Sequence, residues 1–111
     1  MRLPNSDRAV VDLRKLSEYC LHPVHPRGRH KSGVFLSALG MTAAHASFLR
    51  DALLRAAESH DCTLRGQAEF GVRYEVRFVL AFQGREATIC SAWLVRRGED
   101  FARLTTCYVV S

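Results

Sequence analysis

No stretch of this chain is apolar for long enough to cross a bilayer, and the opening Met1-Arg2-Leu3-Pro4-Asn5 does not resemble a signal peptide. A cytoplasmic protein with no membrane role is therefore expected. The four cysteines, Cys20, Cys62, Cys90 and Cys107, form no CxxC pair and no metal-like cluster. In a reducing compartment such thiols stay free, so neither a disulfide framework nor a structural zinc site is expected. Three nucleotide and catalytic signatures are also missing. There is no GxSxG elbow, and Gly28 and Gly33 make neither a GxGxxG turn nor a P-loop. Lysine is scarce too: of sixteen basic residues only Lys15 and Lys31 are lysines.

What is present describes one globular domain, residues 1–111. Hydrophobic residues make up 48% of the 111, enough for a single packed core, and no repeat, low-complexity tract or linker divides the chain. The net charge of +5 is carried almost wholly by arginine, whose planar fork suits phosphate and carboxylate. That excess leans toward nucleic acid or an acidic partner.

Periodicity predicts helices over about residues 7–60 and strands over about 70–110. Asn5 and Ser6 can cap a first helix, about 7–21, whose Val10, Leu13, Leu16 and Cys20 recur at helical spacing until Pro23 and Pro26 stop it. A second helix, about 30–39, ends at Gly40, and Thr42 caps a third, about 43–59. The period then changes to two. Val72, Tyr74, Val76, Phe78, Leu80 and Phe82 form one face of a strand, with Arg73, Glu75 and Arg77 on the other. Gln83-Gly84-Arg85 turns the chain into a second strand bearing Ala87, Ile89, Ser91, Trp93 and Val95 inward. After the turn at 97–100, Arg103 to Val110 supplies a third. The segment 61–70 reads as an irregular connection. The expected class is α+β, with N-terminal helices packed on one side of a C-terminal antiparallel meander.

The densest chemistry lies in His25-Pro26-Arg27-Gly28-Arg29-His30-Lys31, which enters the second helix directly. A helix start already offers free N–H groups and the positive end of a dipole, so a basic run there suits an anion, phosphate above all. A basic turn capping a helix explains the same residues without function. The final strand adds polar groups: simple alternation puts Arg103, Thr105 and Cys107 on one face, and Leu104, Thr106 and Tyr108 on the other. Histidine, fixed cations and a hydroxyl without a metal set suit RNA cleavage, because the ribose 2′-hydroxyl is its own nucleophile. The protein need supply only a base, an acid and cations for the charged phosphorane. Plain β-propensity explains Thr105 and Thr106 equally well.

Several segments together carry a resemblance. Lys15-Leu16, Tyr19-Cys20-Leu21, the HPxGxHK run, Phe70-Gly71-Val72-Arg73-Tyr74, Thr88 to Trp93 and Arg103-Leu104-Thr105-Thr106-Cys107-Tyr108 resemble an uncharacterised bacterial domain family. Its members stand alone or end large polymorphic toxins. Its layout is similar to the barnase–EndoU–colicin–RelE group of metal-independent ribonuclease toxins. The resemblance points to His25, His30, Lys31, Arg103, Thr105 and Tyr108. His25, His30, Lys31, Arg103 and Thr105 are the expected catalytic residues. Tyr108 and the arginines of the basic run, Arg27 and Arg29, are expected to hold substrate, and no cofactor is expected. RNA is the expected substrate, and a basic RNA-cleaving surface leads to an acidic antitoxin or immunity protein as the expected partner. The alternative is a module that binds RNA or an acidic protein and catalyses nothing.

Overall fold

The structure, a computed structural model, describes residues 1–24 and 29–110. A 3-10 turn at Ser6–Arg8 is followed by α1, Leu13–Lys15, which continues as a π-helical turn over Leu16–Cys20. Helix α2 covers Arg29–Leu39, and a 3-10 turn at Ala43–His45 leads into α3, Ala46–Ser59. Four strands follow: β1 (Thr63–Ala68), β2 (Gly71–Phe82), β3 (Arg85–Arg96) and β4 (Arg103–Val109). They pair in sequence order, every neighbour antiparallel. The architecture is α+β, with the helices N-terminal to the sheet.

Helix α2 packs on β3 and β4, and α3 packs on β2. Their apolar faces meet the inward residues of the sheet, where Val76, Ile89 and Trp93 are fully buried against Leu16, Phe35, Leu39, Leu49 and Leu53. Trp93 keeps its indole N–H satisfied by donating to Ser91 Oγ at 2.9 Å, and Ser91 donates onward to the Val76 carbonyl at 2.8 Å. Gly40, at φ 70°, stops α2 as an αL cap: its N–H bonds back to the Leu36 carbonyl at 2.8 Å, and Met41 N–H reaches the Phe35 carbonyl at 3.3 Å. No single helix among the described residues is long and apolar enough to cross a membrane.

Three features depart from the sequence expectation. The segment read as irregular contains β1, a polar edge strand with a bulge between Leu64 and Gly66. Its sequence, Thr-Leu-Arg-Gly-Gln-Ala, offers no apolar face to betray it. The β1–β2 turn needs Gly71: at φ 151° a Cβ there would lie 2.0 Å from the Val95 carbonyl oxygen. Second, the helix expected over 7–21 is interrupted. Asn5 is left-handed and donates from its amide to the Asp100 carbonyl at 2.6 Å instead of capping. Val10 is drawn into a parallel bridge with Arg103, through Val10 N–H to the Ala102 carbonyl and Leu104 N–H to the Val10 carbonyl, both 2.9 Å. The helix restarts only after Asp12, whose carboxylate caps Arg14 N–H at 3.0 Å.

The third departure is in β4. Its strict alternation fails because Ala92 of β3 pairs with Thr106 while the next residue, Trp93, pairs with Leu104. Thr105 and Thr106 thus face one residue of the partner, a β-bulge. Leu104 and Cys107, which alternation separates, both turn into the core.

Candidate functional site

The bulge shapes the site. It lifts two hydroxyl-bearing residues out of register at the sheet edge, opposite the π turn of the first helix and the first turn of α2. An open cleft of about 700 Å³ lies there, lined by Asp12, Arg14, Lys15, Glu18, Tyr19, Lys31, Thr105 and Thr106. Lys15 and Tyr19 come from the helical segment that the Asp12 cap sets in place. Tyr19 lies in the π turn, closed by Leu21 N–H on the Leu16 carbonyl at 2.8 Å. Wide turns of this kind recur at functional sites because they re-aim side chains that an α-helix would place elsewhere.

Lys31 is the hinge of the arrangement. Its ammonium donates to the Tyr19 hydroxyl at 3.3 Å and stands 5.1 Å from the centre of the Tyr19 ring. Both contacts hold a flexible side chain over the cleft without neutralising it. The first turn of α2 carries no acidic residue, although Arg29 and Lys31 oppose the positive end of the helix dipole there. An anion near that end would relieve the conflict.

Beneath the cleft, Cys20 and Cys107 are both fully buried and face each other. A hydrogen bond from the Cys107 thiol pulls the Cys20 pKa down to about 6, against burial, which pushes it up. The Cys107 backbone, Thr106 and the charge of Lys31 add smaller downward pulls. Cys107, the donor, is pushed up by the same bond and by burial. Thr106 Oγ1 lies 3.8 Å from Cys20 Sγ, so the bulge rests on this pair. With no exposure, Cys20 cannot itself reach a ligand; it supports the floor.

The candidate residues from the sequence divide among neighbouring places. Lys31 and Thr105 share the cleft. His30, also exposed, lines an adjoining pocket of about 280 Å³ with Lys31, Val34, Tyr108 and Val109, so Lys31 forms a wall of both. Tyr108 is therefore beside His30, while its hydroxyl pKa is raised, first by its bond to Cys90. Arg29 turns to a separate groove with Ser32, Leu36 and Met41. Arg103 does not line the cleft. Its guanidinium grips Glu99 through two bonds of 2.9 and 2.8 Å and lies over the Phe101 ring at 5.0 Å. A phosphate at Arg103 would have to displace a carboxylate. His25 and Arg27 lie outside the described residues. Thr105 has its one hydroxyl proton directed at the Ala92 carbonyl, 3.1 Å away, so it presents lone pairs to the cleft unless the hydroxyl rotates.

Sequence reasoning missed Lys15, Tyr19 and Thr106 as parts of one surface. The available signal was the i, i+4 spacing of Lys15 and Tyr19, and the rarity of lysine itself.

The model of a family described as a domain of unknown function, DUF6883, matches residues 2–111. The chain belongs to that family. No curated protein is similar enough in sequence to the DUF6883 chain to count as a relative. Its fold is similar to that of a chain in a contact-dependent growth inhibition toxin–immunity protein complex from Klebsiella pneumoniae 342. The TM-score is 0.68 at 14% identity, over 96% of this chain and 97% of that one. At such low identity the likeness establishes the fold alone, and it covers both chains almost end to end.

Proposed function

We propose that this DUF6883 domain is a metal-independent ribonuclease toxin of a bacterial toxin–antitoxin or conflict system, acting in the cytoplasm. The observation that carries the reading is the meeting of Lys31, from the start of α2, with Thr105 and Thr106, from the β4 bulge, in one open cleft with His30 next to it. A fold shared with a chain of a toxin–immunity protein complex supports it.

In the proposed reaction the 2′-oxygen of RNA attacks the adjacent phosphorus and its proton passes to a base. The bond to the 5′-oxygen breaks, an acid protonates that oxygen, and the products are a 2′,3′-cyclic phosphate and a 5′-hydroxyl. His30 is one proton-transfer group and His25 the candidate for the other. Lys31 stabilises the dianionic phosphorane. Its ammonium is positioned by the Tyr19 hydroxyl and, among the described residues, has no carboxylate partner to compete with that task. Thr105 orients a phosphate oxygen after its hydroxyl rotates away from Ala92. Arg29 and Tyr108 flank the RNA on either side of α2, and Arg103 contributes only when Glu99 releases it. The partner is an immunity protein with an acidic surface, which covers Lys31 and competes with phosphate.

Expression of the domain alone in a bacterium tests this, with growth and RNA integrity followed together. The wild type should arrest growth and fragment RNA, and Lys31→Ala, still folded, should do neither. Folded wild type and Lys31→Ala that are equally toxic, or toxicity with intact RNA, would overturn the reading.

A further inference from the structure

Lys15 and Lys31 are the chain's two lysines, and both line the same cleft. The charges around them are unequal in availability. Arg14 donates from Nε to Glu18 at 3.1 Å, which ties up one cation and one carboxylate. Asp12 is occupied by the Arg14 backbone N–H at 3.0 Å. Neither lysine makes an ion pair among the described residues, while seven of the arginines do. Two like charges left unpaired in one concavity raise each other's energy, and an anion between them removes that cost.

We infer that Lys15 and Lys31 form a two-cation subsite for successive phosphates of a single-stranded nucleic acid backbone. Lys15 is a substrate-binding residue of that subsite. The inference deepens the ribonuclease reading by requiring a ligand with at least two phosphodiesters. Binding, though, does not depend on cleavage. Thr106 and Tyr19 line the cleft with the lysines, and its volume of about 700 Å³ leaves room for more than one phosphate group. Arg14, although beside Lys15 in sequence, should contribute less, since a phosphate gains from it only by breaking its bond to Glu18.

A short 2′-deoxy oligonucleotide, which cannot be cleaved by 2′-oxygen attack, is the probe, and its affinity is measured across a salt series. Each phosphate neutralised on a single strand adds about 0.7 to the slope of log affinity against log salt. Lys15→Gln should lower the wild-type slope by about that amount, so the advantage of wild type over variant shrinks roughly 2.5-fold between 50 and 200 mM salt. Arg14→Gln should move the slope much less, and Glu18→Gln, which frees Arg14, should steepen it. Thermal melts of each variant establish that it is folded. Overturning results are no binding by the wild type, an unchanged slope in Lys15→Gln, or equal losses in Lys15→Gln and Arg14→Gln. Binding that behaves as expected without RNA cleavage keeps the subsite and removes the ribonuclease reading. Cleavage with an unchanged Lys15→Gln slope does the reverse.

Discussion

Two cationic regions of this molecule differ in what their charges are free to do. On the helix-free face of the sheet, Arg65 and Arg77 both close on Glu75, Arg65 through two bonds of 3.2 and 3.3 Å and Arg77 at 3.6 Å. Arg103 is held by Glu99 in the same way at the β3–β4 turn. At the cleft between the helices and the β4 edge, neither lysine has a carboxylate partner among the described residues. The sheet face therefore uses Arg65 and Arg77 to hold strands together, and the cleft lysines are proposed to serve a ligand. Counting basic residues would have ranked the two regions the other way.

The largest expected effect falls on the cleft. Lys31→Ala should slow RNA cleavage by about 100-fold or more, the usual consequence of removing a group aimed at developing charge. Measured single-turnover rates on folded protein decide it; a loss of less than tenfold would move the chemistry away from Lys31. A smaller effect, on stability and not on rate, is expected at the sheet face. Burial pushes the Glu75 carboxyl up, yet the bond from Arg65 and the neighbouring charges outweigh it and hold its pKa below 4.5. A carboxylate depressed in the folded state contributes stability that is complete above its unfolded pKa and disappears as pH falls through the folded value. Glu75→Gln should cost about 1 kcal/mol at neutral pH. Denaturant midpoints of variant and wild type should converge as pH falls from the unfolded glutamate value of about 4.3 through the lower folded value. A gap that persists at low pH would show that Glu75 acts by packing alone.

How much of this was legible beforehand follows from where each signal lies. Helices α2 and α3 and the β2–β3 hairpin announce themselves locally, by period, by Gly40 and by the Gln83-Gly84 turn, whose φ values of 50° and 80° make the tight twist that a two-residue hairpin needs. Strand β1 does not, because a polar edge strand has no apolar face. The bulge at Thr105–Thr106 is a property of pairing with Ala92, invisible in β4 taken alone, and it reversed the faces that alternation gives. At the site, the basic run at 29–31 and the threonines were legible as types. Which cations are paired was legible for Arg14 and Arg103, whose partners Glu18 and Glu99 each lie four residues away. For Lys15 and Lys31 the absence of carboxylate partners among the described residues depends on what three separate segments bring near them.

The smallest expected effects probe the Arg103–Glu99 pair. Arg103→Gln should reduce cleavage only a few-fold, and Glu99→Gln, which frees the guanidinium, should raise affinity for RNA about twofold, as a partly solvated surface ion pair of this kind is worth little. Steady-state rates and fluorescence anisotropy read the two. An Arg103→Gln loss as deep as that of Lys31→Ala would erase the distinction between paired and unpaired cations.

The chemistry of the RNA ends is the most direct test of the whole account. Purified domain is incubated with RNA and a metal chelator, and the fragment termini are identified by mass. Attack by the 2′-oxygen leaves a 2′,3′-cyclic phosphate on one fragment and a 5′-hydroxyl on the next, and both should accumulate with the wild type and not with Lys31→Ala. Intact RNA, or fragments bearing 5′-phosphates, would contradict the account.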